Sequence, residues 1–140
     1  MVLMSIHSEI DYTVESTNSV QNLVDVLTEK LGKRGFGVLA NIDVKKIINQ
    51  KLGEEISEYV ILEVCSPRHA KKAIDAHKQI GLMLPCKIIA YRDQGLSRLS
   101  MYRPTKAIEF LNFKDLDLLA REVEHEIRRA IDETIEEQRK

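Results

Sequence analysis

Apolar positions along the chain recur at two spacings, and their succession lays out the elements. Ile10, Tyr12 and Val14 alternate with Asp11 and Thr13, the period of a strand buried on one face. Asn18, three residues before Gln21, predicts a capped helix start. Val20, Leu23, Val24, Leu27 and Leu31 then mark one helical face, stopped by Gly32 and Gly35. Residues 36–42 read as a second strand with Phe36, Val38, Ala40 and Ile42 on one side. Asp43 is placed to cap a short helix with the face Val44, Ile47, Ile48 and Leu52, ended by Gly53.

The run Tyr59–Cys65 is apolar and β-branched almost throughout, which predicts an interior strand. Val60, Leu62 and Val64 point one way; Tyr59, Ile61, Glu63 and Cys65 point the other. Ser66 and Pro67 suit the N-cap and first position of a helix. Its inward stripe is Ala70, Ala73, Ile74 and His77, and Gly81 ends it. Residues 87–92 and 96–103 form a hairpin about Asp93-Gln94-Gly95, with Leu99 and Met101 on one face. Residues 104–114 read as a connector. Asp115 is placed to cap a last helix striped by Leu116, Leu119, Val123, Ile127, Ala130 and Ile131, with Glu124 and Arg128 paired on its outer side.

The order β-α-β-(α)-β-α-β-β-α predicts a two-layer α/β sandwich on a mixed sheet of about five strands. Residues 1–140 form a single domain, with 1–9 loose and 115–140 an amphipathic helix. That helix, about 25 residues at 1.5 Å each, would run nearly 40 Å and overhang the sheet. If the helices share one side, the other sheet face carries Ile61 and Ile89 and needs a cover. A second copy of the chain, giving a homodimer, is the expected one; a bound apolar ligand is the other.

Length and charge narrow the classes. The 140 residues suffice for a core without metal or disulfide staples. A net charge of -1 lacks the basic field of a nucleic-acid binder. Lys45, Lys46 and Lys51 have no glycine-rich loop or aromatic beside them, so they read as a solvated helix face. Two cysteines in a charged chain fit a reducing compartment. Residues 1–10 are too short and polar for a signal peptide or a membrane span. A soluble cytoplasmic protein is expected.

Gly35-Phe36-Gly37-Val38-Leu39, Ile42-Asp43-Val44, Lys51-Leu52-Gly53, Cys65-Ser66-Pro67 with Ala70, and Leu82-Met83-Leu84-Pro85-Cys86 stand in an order that resembles the bacterial and archaeal domain of unknown function 302 family. The resemblance runs from Asp11 to the start of the last helix. It implies a compact two-layer α/β fold, often self-associated, and no established activity. The family commonly has Asn where this chain has Ser66; both residues cap helices, which favours a structural purpose there.

The candidate chemistry gathers around Cys65. It ends a strand just before a helix N-terminus, where the dipole can lower a thiol pKa or hold an anion through backbone N–H groups. The bland alternative is a small buried hydrophobe. Cys65 and His69 form a C-x₃-H pair, two ligands where zinc prefers four. His77 reads as a satisfied core histidine, and His7 as an adventitious metal ligand. If 59–65 and 87–92 are joined by a parallel crossover, Cys65 and Cys86 lie at opposite ends, on the order of 15–20 Å apart, too far for a bridge or a shared zinc within one protomer, though either stays open across a dimer. Glu63, a carboxylate in an apolar strand, needs a partner such as Lys87 or Arg98. With Tyr91, Arg98 and Tyr102 it could form a polar patch for a small acidic or amphipathic ligand. No catalytic triad order, Walker loop or dinucleotide fingerprint is present.

The expected function is therefore a homodimeric, non-enzymatic binding domain for a small ligand or anion, with Glu63, Cys65, Ser66, His69, Tyr91, Arg98 and Tyr102 as candidate site residues. A thiol-dependent enzyme or sulfur-handling protein using Cys65 is one alternative, and a purely structural or partner-binding module is another. No cofactor is expected; zinc on Cys65 and His69 is the weak exception.

Overall fold

The computed structural model describes residues 5–7 and 9–138, with side chains from 9 to 137. Its elements run β1 (Ser5–His7), β2 (Asp11–Ser16), α1 (Val20–Lys33), β3 (Gly37–Asp43), α2 (Val44–Leu52), β4 (Tyr59–Cys65), α3 (Pro67–Ala76), a 3-10 segment (Lys78–Met83), β5 (Cys86–Asp93), β6 (Leu96–Tyr102), α4 (Pro104–Leu111), a 3-10 turn (Lys114–Leu116) and α5 (Asp117–Gln138). The strands lie in the order β1-β2-β6-β5-β4-β3, and helices layered against them complete an α/β sandwich.

Every pairing is antiparallel, so the sheet is not mixed. The expected parallel crossover between β4 and β5 is replaced by an antiparallel return. A single long helix would have carried the chain to the far end of the sheet. Instead α3 stops at Ala76, and the 3-10 segment brings the chain back to the end it left. Ser5–His7 pairs with β2 as an edge strand in a stretch expected to be loose; residues 1–4 and 8 of that stretch lie outside the described residues.

The main core forms because α1 and α5 press their apolar stripes onto one sheet face. All five expected α1 positions, from Val20 to Leu31, are buried. They meet Leu62, Val64, Ile88, Ala90, Leu99 and Met101, while α5 adds Val123, Ile127, Ala130, Ile131 and Ile135. Each large side chain here contributes about 1.5–3 kcal/mol through burial. Ser19, not Asn18, caps α1, accepting from the Asn22 N–H at 3.1 Å. The Asn18 carbonyl is held by the Ser97 hydroxyl at 2.6 Å.

Two elements depart from the alternation read in the sequence. β3 carries a bulge between Val38 and Ala40, so Val38 packs against the core while Ala40 and Ile42 turn to the other face with Glu63 and Ile61. Helix α2 has the expected Asp43 cap and Gly53 stop, yet its apolar face stays half open, with Ile47 45% and Leu52 65% exposed.

The presumed connector is helix α4. Pro104 sits at its first position, where a missing N–H is harmless, and Asn112 ends it with φ 60°. Glu124 caps this helix instead of facing solvent beside Arg128. Its carboxylate accepts from the Thr105 N–H at 3.1 Å, the Thr105 hydroxyl at 2.6 Å and Arg103 Nε at 3.1 Å. Arg128 lies over the Tyr12 ring, 4.1 Å from its centroid. Asp115 belongs to the 3-10 turn rather than capping α5, and it binds His77 Nε2 at 2.8 Å.

Candidate functional site

Antiparallel pairing brings the C-terminal ends of β4 and β6 and the start of β5 to one end of the sheet. Val64 lies opposite Cys86, Gly37 opposite Cys65, and Asp11 opposite Tyr102. Over this end pack α3, α4, the front of α5 and the two 3-10 segments, which build a second apolar cluster from Ala73, Ile80, Ile108, Leu116 and Ala120. Between that cluster and the main core is a partly open cavity of about 70 Å³. Its walls are mostly apolar, and five polar-tipped residues reach it: Cys65, Ser66, His69, Cys86 and Tyr102.

Both cysteines therefore border one cavity, and the expected separation by the length of a helix is wrong, although Cys86 packs on the Val64 side of the sheet and Cys65 follows on the other. The strand register is the reason: Cys86 faces the residue next to Cys65. Both cysteines are free and half-buried. Burial alone pushes the Cys65 thiol above its ordinary value. Cys86 is pushed up to about 11, chiefly by burial; the Tyr102 hydroxyl beside it pulls the other way, and negative charge on Cys65 adds to the rise. Both thiols are consequently neutral at pH 7.

Ser66 stands at the N-cap of α3 with Pro67 following, as the sequence predicts, but its hydroxyl makes no cap bond. It lies 2.6 Å from His69 Nδ1 instead. The other ring nitrogen, Nε2, is 3.1 Å from Glu122 Oε1, and the ring stacks on Phe36 at 5.8 Å between centroids. The hydrogen bond and charge of His69 hold the Glu122 carboxyl below its ordinary range, with smaller help from Lys72 and Arg68. His69 is thus committed to Ser66 and Glu122, and burial is the sole cause acting on Cys65.

Tyr102 donates to the Met83 carbonyl at 2.6 Å. Its pKa is driven up by burial first, then by the Cys86 and Glu63 charges, so it stays a neutral donor. Glu63 turns to the opposite face and takes Lys87 Nζ at 2.5 Å on Oε1; its Oε2 is buried with no hydrogen-bond partner. The remaining candidates lie further along that face. Tyr59, Tyr91, Arg98 and Glu15 form one cross-strand row. The two tyrosine rings are 5.5 Å apart, and Arg98 binds Glu15 and Asp93 at 2.7 Å each. The seven candidates therefore divide: Cys65, Ser66, His69 and Tyr102 converge, whereas Glu63, Tyr91 and Arg98 are tied into ion pairs or stacks elsewhere. Ile42, Ile61 and Ile89 make the next row and are half-buried.

Cys86, Phe36, Met83 and Glu122 also belong to this end of the molecule, although the sequence reading gave none of them a place in the site. His77 is half-exposed, stacked on Phe113 at 4.1 Å and bound to Asp115, rather than buried in the core. Among the described residues no group of three or more His, Cys, Asp or Glu could hold a metal, and no helix is long and apolar enough to cross a membrane. A larger groove of about 550 Å³ runs along α4 and α5, but its Arg103, Lys106 and Arg121 face Glu124, Glu109 and Asp117 at close range. Arg128, Arg129 and Asp132 line it too, so its charges are mixed along its length.

A family model described as "Domain of unknown function DUF302" matches residues 12–134. No curated protein matches the chain. Among solved structures, the crystal structure of an uncharacterized conserved protein DUF302 from Bacillus stearothermophilus is similar at a TM-score of 0.84 and 29% identity, over 89% of this chain and 98% of that one.

Proposed function

The chain belongs to the DUF302 family, which carries no defined activity, and from that premise we propose that it is a small-molecule-binding domain whose ligand enters the cavity at the end of the sheet. The observation that carries this reading is an apolar space between two packed clusters, reached by five polar-tipped residues. Ligand sites generally combine apolar walls with a few convergent polar groups.

The polar groups define the ligand's chemistry. Cys65, Cys86 and Tyr102 are all neutral at pH 7, so the site favours an uncharged molecule over an anion. At about 70 Å³ the space holds fewer atoms than the engineered apolar cavities of about 150 Å³ that accept benzene. A short aliphatic body with one hydrogen-bonding end fits, the polar end toward the Ser66–His69 pair. The raised thiol pKa values weigh against the thiol-enzyme alternative.

Thermal unfolding of the wild type and of Ala120→Leu, in a panel of short aliphatic alcohols and amides, tests the reading. Ala120 lines the cavity and is 4% exposed, so the larger side chain fills the space. A ligand at 100 times its Kd stabilises the wild type by about 2.7 kcal/mol and leaves the filled variant unmoved. Equal responses in both proteins, or none in either, would contradict the reading.

A further inference from the structure

We propose that Ser66, His69 and Glu122 form a nucleophile–base–carboxylate relay that hydrolyses small, uncharged carboxylic esters held in the cavity. The relay deepens the small-molecule reading and rests on it: the ligand becomes a substrate.

Two contacts define the relay. Ser66 Oγ lies 2.6 Å from His69 Nδ1, and His69 Nε2 lies 3.1 Å from Glu122 Oε1. One tautomer of the neutral imidazole satisfies both: Nε2–H donates to the carboxylate, and the bare Nδ1 accepts from the serine hydroxyl. A hydroxyl bonded to a base, with the base oriented by a third group, is the arrangement that activates a nucleophile. Glu122 reaches the ring from α5, and its pKa is lowered chiefly by the hydrogen bond to His69, so it is ionised near neutrality. The imidazole side chain is 11% exposed and stacked on Phe36, which fixes its orientation.

Helix capping alone does not account for these contacts. A serine at an N-cap ordinarily accepts from a first-turn N–H. The Ser66 hydroxyl makes no cap bond and turns to the imidazole instead. The first-turn N–H groups of Arg68 and His69 therefore keep no side-chain cap, at the positive end of the ten-residue α3. Negative charge that develops on a carbonyl oxygen beside Ser66 forms next to that end.

Ser66 and His69 both line the cavity, and Ser66 is 7% exposed among apolar walls. In the first step Oγ attacks the ester carbonyl carbon as its proton passes to His69 Nδ1. The bond from carbon to the alkoxy oxygen then breaks, and His69 gives the proton to the departing alcohol. Water next attacks the acyl-serine, His69 again takes a proton, the Oγ–carbon bond breaks and Ser66 recovers its proton. A carboxylic acid leaves, and water is the sole co-reactant. The space of about 70 Å³ limits the acyl chain to a few carbons, with the alkoxy group toward the open side. The ester is uncharged, as the neutral thiols and Tyr102 require, whereas its ionised product is poorly held by the same walls.

The test is hydrolysis of methyl acetate and methyl propionate followed by proton NMR, with methanesulfonyl fluoride as a covalent probe. Wild type is expected to turn over both esters and to carry one methanesulfonyl group, mapped to Ser66, a result that needs no variant to fold. Ser66→Ala is expected to lose turnover and label together. His69→Gln, which keeps a polar side chain but no base, is expected to lose about 10²–10⁴-fold in kcat. Glu122→Gln, at a positioning residue, is expected to lower kcat by less and leave KM unchanged. Label on Cys65 in place of Ser66, undiminished turnover in Ser66→Ala or His69→Gln, or no turnover by the wild type above the uncatalysed rate would overturn the assignment. The alcohol and amide panel separates the two readings. Stabilisation without ester turnover sinks the relay and leaves the binding cavity standing; absence of both removes the cavity reading as well.

Discussion

Glu124 tests the tertiary structure sharply, because two readings of one residue predict different costs for removing it. On the outer face of α5, paired with Arg128, it would be a solvated i,i+4 ion pair worth about 0.3–0.5 kcal/mol. In the structure it is 6% exposed and joins α5 to the start of α4 through Thr105 and Arg103. Glu124→Ala removes a helix cap, worth about 0.5–2 kcal/mol. It also strips the carboxylate from Arg103, whose side chain is 25% exposed. Breaking a fully buried pair costs about 3–5 kcal/mol, and the partial exposure of Arg103 lowers that figure. Together the two losses come to about 2–4 kcal/mol. Glu124→Gln keeps an acceptor for Thr105 and loses the charge opposite Arg103, which places it near half that loss. Equilibrium urea unfolding measures both, at constant m. Because α4 supplies Pro104, Ala107 and Ile108 to the cavity wall, the Ala variant is also expected to exchange its α4 amides faster. A loss below about 0.5 kcal/mol for Glu124→Ala would return Glu124 to the surface and refute the assignment of α4's cap.

Three further outcomes are expected. Arg34 binds Glu126 at 3.1 Å and Glu133 at 3.0 Å, tying the C-terminal end of α1 to α5, and its hydrogen bond holds the Glu133 carboxyl below its ordinary value. A depressed carboxyl pKa stabilises the fold above the unfolded value and ceases to do so as pH falls through the folded one. Arg34→Met should therefore cost about 1 kcal/mol near neutrality. The gap from wild type should close below about pH 4.3, where unfolded Glu protonates; a gap that stays constant down to pH 2 would contradict the pairing. Iodoacetamide should alkylate Cys65 more slowly than a free thiol at pH 7, with the rate still rising beyond pH 8.5; fast reaction at pH 6 would revive the thiol-enzyme reading. Leu62→Ala, at a fully buried β4 position, should lose about 2–5 kcal/mol in urea unfolding, whereas Leu52→Ala on the open face of α2 should lose under 1 kcal/mol.

What the sequence revealed followed from local periodicity. The α1 stripe, the alternation of Val60, Leu62 and Val64, the Asp43 cap and the turn at Gln94-Gly95 are each set by residues a few positions apart. Pairing direction is not local. Nothing between Ser66 and Pro85 says whether the chain crosses the sheet or doubles back, and that choice decides whether Cys86 meets Cys65 or lies a helix length away. The helix stops at Ala76 and six residues of 3-10 turn follow, while Ile74 and His77 carry the apolar spacing past that end and mask it. Helix α4 was missed because Pro104 reads as a breaker unless it stands at a first turn, and because the residue that caps it, Glu124, is twenty positions downstream. The Ser66 hydroxyl illustrates the same limit: its type and place suit a cap, yet a histidine three residues on, fixed by Phe36 and Glu122 from distant elements, takes the bond.

The most direct measurement of the binding site is a methyl and amide NMR titration of the wild type with the best short alcohol or amide from the thermal panel. Saturable shifts should gather on Ala73, Ile80, Met83, Ala107 and Ile108 around the cavity, with little change at Ile61, Ile89 or Tyr91. Shifts concentrated on that opposite sheet face, with the cavity methyls unmoved, would show that the ligand site lies elsewhere.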